Sequence, residues 1–126
     1  MKIEGTEIEI NGVKYVKEGS QSSAIAIKDG LTYAVIRGDR SGVFAGYYDA
    51  EDYDGEKSIV LYNTRRLWYW DGAASISQLA EHGTSKPTNC KFTVPVQKMR
   101  VTDVIEVLDA TEKAKKSIEG VKIWEA

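Results

Sequence analysis

Short runs of alternating apolar and polar residues dominate the first half of the chain and predict β-strands. TEIEINGVKYVK alternates on both sides of Asn11-Gly12, and SAIAIKDGLTYAVIR does so around Asp29-Gly30. Both dipeptides favour a type I′ turn, whose two central residues need positive φ, so each run predicts a hairpin. GVFAGYY and SIVLYN predict two further strands, joined by the acidic loop DAEDYDGE. This spacing is typical of a meandering antiparallel sheet.

The second half contains the signals for two short helices. In DGAASISQLAEHG, Asp71 or Ser75 is the candidate N-cap, and Ser75 fits a capping box with Gln78. Gly83 is suited to end that helix, which is therefore predicted near residues 73–82.

TEKAKKSIEG predicts the second helix, with Thr111 as its cap and Gly120 as its stop. Between the helices, CKFTVPVQKMRVTDVIEVLD predicts extended chain with a break at Pro95, which cannot donate to a sheet. VKIW, with Trp124, predicts a last strand.

A length of 126 residues favours one domain. We predict an α+β fold, a β-rich single domain over residues 24–126 with a mostly antiparallel meandering sheet and two short helices. Residues 1–23 are predicted to form an N-terminal hairpin or extension, because EGSQSS is the most linker-like run.

Composition excludes several classes of function. A net charge of −2 argues against general attraction to a nucleic-acid backbone. No apolar run approaches the roughly 20 residues that span a membrane, and the N-terminus lacks the apolar core of a signal peptide. The single cysteine forbids an intrachain disulfide and fits a reducing compartment. We therefore expect a cytoplasmic protein of the host cell, with neither nucleic acid nor membrane as partner.

No constellation of catalytic or metal-binding residues stands out. Cys90 and His82 cannot supply the four ligands of a structural zinc site. The acidic loop fails the EF-hand register, since Gly55 at position six puts Ala50 at position one and Leu61 at position twelve. No G-x-S-x-G motif or phosphate-binding loop occurs. We predict no metal and no cofactor, and catalysis is not expected, although a carboxylate-pair hydrolase stays open.

Arginine is confined to the central part of the chain, where four of the five occur in two motifs. Guanidinium groups suit bidentate contact with phosphate or carboxylate. In IRGDRSGVF, Arg37 and Arg40 flank a turn whose backbone N–H groups are predicted to form an anion-binding concavity at residues 38–42.

The second motif, RRLWYWDGAAS, reads as a strand that leads into a helix. With a period of two, one face would carry Arg66, Trp68 and Trp70, and the other Arg65, Leu67 and Tyr69. A flat base would stack on an indole while guanidinium groups and the amides of a helix N-terminus take a phosphate. The predicted ligand-binding residues are Arg37, Arg40, Arg65, Arg66, Trp68, Trp70, Gly72 and Ala73.

The same motif has a purely structural interpretation. The tryptophans would then fill the core, and Arg65 and Arg66 would pair with Asp71 and with the acidic loop at residues 49–56.

Four segments resemble a family of small proteins from tailed phages and prophages whose function is unknown: VIRGDRSGVFAGY, RRLWYWDGAASISQLA, KPTNCKF and TEKAKKSIEGVKIW. The resemblance runs from about Tyr33 to Trp124 and implies a role during infection. We therefore expect a homo-oligomeric phage protein that sequesters a small nucleotide-type signal, cyclic nucleotide or ADP-ribose-like, against host antiviral defence. The alternative is an interaction module that docks on a host protein.

Overall fold

The structure, a computed structural model, describes residues 24–126 and the backbone of two earlier strands, β1 (Glu7–Ile10) and β2 (Val13–Val16). β1 and β2 pair antiparallel in a sheet of their own, with Ile10 opposite Val13. The predicted Asn11-Gly12 turn and the run EGSQSS lie outside the described residues. The division of the chain at residue 23 stays a prediction.

Seven strands form one curled antiparallel sheet, and two helices pack on it, which confirms the predicted fold class. The strands are β3 (Ile27–Lys28), β4 (Leu31–Gly38), β5 (Val43–Tyr48), β6 (Ile59–Tyr69), β7 (Lys91–Phe92), β8 (Val96–Val101) and β9 (Val104–Asp109). The helices are α1 (Ile76–His82) and α2 (Glu112–Gly120), with a 3₁₀ turn at Pro87–Asn89. No helix within residues 24–126 combines the length and the apolar character that a membrane crossing needs.

β6 is the central element of the sheet. Its 11 residues pair with β5 on one side and with β7 and β8 on the other, while β9 pairs with β4. The β3–β4 turn has φ of 55° at Asp29 and 79° at Gly30, which confirms the predicted type I′ hairpin. Pro95 lies between β7 and β8, where a missing donor is harmless.

The sheet carries a hydrophobic cluster on each face, because neighbouring residues of a strand point to opposite sides. One cluster joins the sheet to both helices, through residues such as Tyr33, Leu67, Leu79, Phe92 and Ile118. The other is formed by strand residues, among them Ile36, Phe44, Leu61 and Val101.

Helix α1 begins three residues later than the sequence predicts, at Ile76 rather than residue 73. The Ser75 hydroxyl accepts from the Gln78 amide, and the Gln78 side chain accepts from the Ala74 amide. This reciprocal pair closes the first turn at Ser75, so residues 73 and 74 precede the helix. Gly83 ends it with φ of 76°, as predicted.

Helix α2 confirms its predicted cap, since the Thr111 hydroxyl accepts from the Ala114 amide. The same hydroxyl donates to the Glu81 carbonyl and so ties the two helices together. The predicted strand VKIW is reduced to a single parallel bridge between Phe92 and Ile123.

Candidate functional site

The motif RRLWYWDGAAS follows the predicted alternation along β6 for four residues and then departs from it. Arg65 and Leu67 are buried, while Arg66 and Trp68 are exposed. The pairing of β6 with β7 shifts between Leu67 and Tyr69. Tyr69 consequently lies half-exposed, and Trp70 does not share an open face with Trp68. It packs instead against the cluster beneath the helices.

Arg65 is only 3% exposed, and its guanidinium joins three elements of the fold. Nη1 donates to the carbonyls of Ile118 (2.7 Å) and Val121 (2.8 Å), at the end of α2. Nε and Nη2 donate to the carbonyls of Thr93 (2.9 Å) and Phe92 (3.0 Å), in and after β7. Burial lowers the pKa of Arg65, but a guanidinium stays protonated in proteins.

These contacts use four of the five guanidinium N–H groups of Arg65 in holding the end of α2 against β6 and β7. They do not favour the predicted phosphate contact at the indole face, because the side chain points into the protein interior. The acceptors are main-chain carbonyls rather than the carboxylates that the structural interpretation expected.

Two other predicted arginines lie at the surface with partners of their own. Arg66 donates to the Ser41 carbonyl (2.6 Å), and its guanidinium carbon lies 4.6 Å from the centre of the Phe44 ring. Arg37 forms an ion pair with Glu106 on β9, with 3.1 Å between Nη1 and Oε1. Both retain N–H groups that face solvent.

At residues 38–42, where the sequence predicts an anion-binding concavity, two backbone N–H groups point to a carboxylate of the chain itself. Asp103 Oδ2 accepts from the amides of Arg40 (2.7 Å) and Ser41 (2.8 Å), and Oδ1 accepts from the Ser41 hydroxyl. The Ser41 hydroxyl, followed by these amides, holds the pKa of Asp103 below its ordinary value. Through these bonds Asp103 holds the β4–β5 connection against the β8–β9 connection. We call this contact the latch.

Replacing Asp103 by Asn is expected to lower the free energy of unfolding at neutral pH. The free energy of unfolding should also fall less on acidification in this variant than in wild type. Because the folded-state pKa is depressed, the carboxylate contributes stability above its unfolded-state pKa of about 3.9. That contribution is lost as pH falls through the folded-state pKa. Urea unfolding at pH 7 and pH 3 measures the difference.

The matched control for this variant is Asp39→Asn, an exposed neighbour in the same turn. We expect wild type and Asp39→Asn to lose similar stability between the two pH values, and Asp103→Asn to lose less. An equal acid-side loss in Asp103→Asn and wild type would contradict the latch.

Gly72 and Ala73 do not cap an anion at a helix N-terminus, because α1 begins beyond them at Ile76. The Gly72 amide donates to the Asp71 carboxylate (2.8 Å), and the Gly72 carbonyl accepts from the Ser85 amide. The prediction of an anion site there is wrong in its geometry, since the first-turn amides belong to later residues.

A surface formed by Trp68, Lys91 and Trp124 is the most exposed aromatic feature of the described residues. We call these three residues the indole platform. The rings of Trp68 (58% exposed) and Trp124 (44% exposed) stack with centres 5.1 Å apart and an interplanar angle of 25°. Lys91 Nζ lies 5.3 Å from the first ring centre and 5.5 Å from the second.

Three separate segments build the indole platform. Trp68 is on β6 and Lys91 on the adjoining β7, whose Phe92 carbonyl accepts from the Trp124 amide at 2.9 Å. That bond brings the C-terminal segment beside the strands. The sequence predicts only a last strand around Trp124 and does not single out Lys91. A tryptophan within two residues of Lys122 and Glu125, in KIWE, was the available signal.

In the part of the chain that the structure describes, neither a cluster of metal ligands nor a Cys90–His82 pair comes together. Among residues 24–126, no group of three or more His, Cys, Asp or Glu side chains is placed to hold a metal ion. The hydrogen-bond partners of Cys90 Sγ are Asp71, Thr84 and Lys86, not His82. In the acidic loop, Asp49 and Asp54 accept from amides of the loop itself.

A family model described as a domain of unknown function, DUF6948, matches residues 31–118. The chain belongs to the DUF6948 family. No curated protein and no solved structure matches it.

The DUF6948 match begins at the first residue of β4 and ends within α2. It contains Arg65 and two residues of the indole platform, Trp68 and Lys91. Trp124 and residues 1–30 lie outside the DUF6948 match, so the platform combines two residues of the matched segment with one residue beyond it.

Proposed function

We propose that this protein is an interaction module that docks on a protein of the infected bacterial host through the indole platform. The observation that carries the proposal is the stacked Trp68–Trp124 pair, which remains about half-exposed on a domain that buries its other large aromatic clusters. The resemblance to small phage proteins supports a partner in the host cell.

Exposed indole rings are energetically unfavourable in water, and burying them at an interface is favourable. Tryptophan is enriched among the few residues that dominate the energy of protein interfaces. The Trp68–Trp124 stack also fixes both side chains before binding, so less conformational entropy is lost on association. Tyr69, 49% exposed and next to Trp68 in sequence, adds a second ring with a polar tip.

Lys91 defines the chemistry of the partner. Its ammonium lies against both rings, and within residues 24–126 no carboxylate pairs with it at ion-pair distance. A partner that covers the indoles therefore has to neutralise this charge as it removes water. We expect the partner to present an acidic side chain beside apolar or aromatic residues.

Site-specific photo-crosslinking tests the surface in host cells. A photoreactive residue at position 69 is expected to capture one host protein, while the same residue at Ile105, an exposed position on β9, captures none. The captured protein is then purified for calorimetry. Trp68→Ala is expected to weaken its binding by about 30-fold or more, the effect of losing one interface hot spot.

Ile105→Ala is the control for that measurement, because it shortens an exposed apolar side chain away from β6 and β7. Its affinity should equal that of wild type. Equal binding by Trp68→Ala and wild type, or no crosslink from position 69, would remove the basis for the proposal.

A nucleotide-type signal remains the second candidate ligand of the same surface. The observation that favours it is the cation beside two exposed indole rings, which suits a phosphate next to a stacked base. An open surface covers only one side of such a ligand, so sequestration would need a homo-oligomer. Quenching of tryptophan fluorescence by cyclic nucleotides or ADP-ribose isomers, lost in Trp68→Ala, would favour this candidate over docking.

A further inference from the structure

A cleft that includes none of the indole platform residues lies beside Arg65. It has a volume of about 340 Å³ and is bounded by β3, β4, β6 and the end of α2. Its polar lining consists of Lys28, Tyr33, Asn63, Arg65 and Glu119. The size is at the lower end of that for small-molecule sites, which measure roughly 300–1,000 Å³.

The Tyr33 hydroxyl is the first reason to regard this cleft as a binding site. Tyr33 is 0% exposed, and within the described part of the chain its hydroxyl has no hydrogen-bond partner. Its ring is fixed edge-on against Tyr47, with ring centres 5.0 Å apart. A buried hydroxyl without a partner destabilises the fold, whereas a ligand that bonds to it removes that penalty.

Two charged residues of the cleft lining act on the Tyr33 hydroxyl. Burial raises the pKa of Tyr33 most, Glu119 raises it further, and Arg65 acts in the opposite direction. Because Glu119 and Arg65 both line the cleft, a ligand there meets a carboxylate and a guanidinium as well as this hydroxyl.

Arg65 leaves a positive charge at the same wall. Its four bonds go to neutral carbonyls, and within residues 24–126 no carboxylate lies at ion-pair distance from it. A buried guanidinium without a direct ion-pair partner favours an anionic ligand beside it. One guanidinium N–H remains for that contact, and the ammonium of Lys28 adds a second positive charge.

A bulge in β6 places Asn63 at the cleft as a further polar residue. Its φ is 51°, a left-handed conformation within a strand, at the point where the pairing of β6 with β5 shifts register. Asparagine tolerates this conformation better than most residues. The bulge brings the amide to the cleft, and bulges of this kind often re-aim a side chain beside a functional site.

We propose that this cleft binds a small zwitterion of amino-acid type. The carboxylate of the ligand accepts from the Tyr33 hydroxyl and the remaining Arg65 N–H, while its ammonium group lies toward Glu119. Asn63 hydrogen-bonds the ligand at the cleft entrance, and Lys28 attracts the carboxylate. The proposal is independent of the docking surface, since it shares no residue with the indole platform.

Protein-observed NMR tests this site directly. The Arg65 Nε–H and the Asn63 side-chain amide are the reporters, and the probes are the common free amino acids together with propionate and ethylamine. We expect saturable shifts of both reporters with at least one amino acid. Propionate and ethylamine, which each carry only one of the two charged groups, are expected to bind far more weakly than alanine or not at all.

Tyr33→Phe is the decisive variant, because it removes the hydroxyl and keeps the ring packing. Affinity should fall about tenfold, as expected for the loss of one hydrogen bond to a charged group. Tyr53→Phe is the matched control: its hydroxyl donates to the Glu56 carbonyl, outside the cleft, and binding should be unchanged.

Asn63→Gly provides a second variant that accepts the same backbone conformation and lacks the amide. We expect it to fold and to bind the amino acid more weakly. The proposal fails if no amino acid shifts either reporter, if propionate binds as tightly as alanine, or if Tyr33→Phe binds as tightly as wild type.

Discussion

Arg65→Lys is expected to lower the free energy of unfolding by about 3 kcal/mol or more, through the loss of at least two hydrogen bonds to a charged group. A lysine ammonium has three donors on one atom and cannot span four carbonyls that the guanidinium reaches with three nitrogens. At least two of the carbonyls of Phe92, Thr93, Ile118 and Val121 would lose the side-chain donor that Arg65 supplies.

The helix end explains why this loss affects the whole domain. The last carbonyls of a helix lack their usual partners one turn on, and here Arg65 donates to those of Ile118, in the last turn, and Val121, the residue after α2. The same guanidinium joins them to the carbonyls of Phe92 and Thr93. We therefore expect α2 and the C-terminal segment to detach from the sheet together.

Urea unfolding followed by far-ultraviolet circular dichroism measures the effect. Arg66→Lys is the adjacent control: the side chain is exposed and makes one hydrogen bond, to Ser41, so its change should stay within about 1 kcal/mol. Similar destabilisation by the two substitutions would show that the internal contacts of Arg65 are not what holds α2.

Gly72→Ala is expected to lower the free energy of unfolding by about 3 kcal/mol, the sum of backbone strain and overpacking. Gly72 has φ of 83°, where an L side chain is strained. An added Cβ would also lie 2.5 Å from the Lys86 nitrogen and 2.8 Å from the Ser85 nitrogen. Because these are backbone atoms, the loop can relieve the clash only by moving away from Asp71–Gly72.

Gly55→Ala separates the two causes. Gly55 has almost the same φ, 85°, and an added Cβ there meets nothing within 4 Å. It should show only the backbone strain, about 1–2 kcal/mol, and thermal or urea unfolding compares the two variants. If Gly72→Ala lowers the free energy of unfolding no more than Gly55→Ala does, the close packing of Gly72 against residues 84–86 does not contribute to stability.

Arg65 and Gly72 both lie in the motif RRLWYWDGAAS, whose structure could be predicted only in part. The sequence predicts that RRLWYWDGAAS leaves a strand and enters a helix, and the structure confirms β6 and α1. It does not reveal that Arg65 faces inward to carbonyls distant in sequence. Arginines that bind phosphate and arginines that cap a distant helix have the same local signature, so only the tertiary partners distinguish them.

The alternation rule also fails at a point that the sequence does not mark. The register shift after Leu67 separates Trp70, packed on the core, from Trp68, stacked on Trp124. Bulges depend on which strand lies opposite, and β7 is more than 20 residues away along the chain. The same dependence hides the Asn63 bulge and its cleft.

Local chemistry alone determined the strands, the Asp29-Gly30 turn, the caps at Ser75 and Thr111 and the β-rich fold class, because each depends on residues within a few positions of one another. Tertiary structure alone decided that Asp103 fills the anion-binding turn, that Arg65 holds α2, and that Trp124 and Lys91 complete an exposed surface with Trp68. These contacts join residues about 25 to 60 positions apart. No periodicity or spacing records which distant group a side chain meets, because that depends on how the sheet curls and pairs.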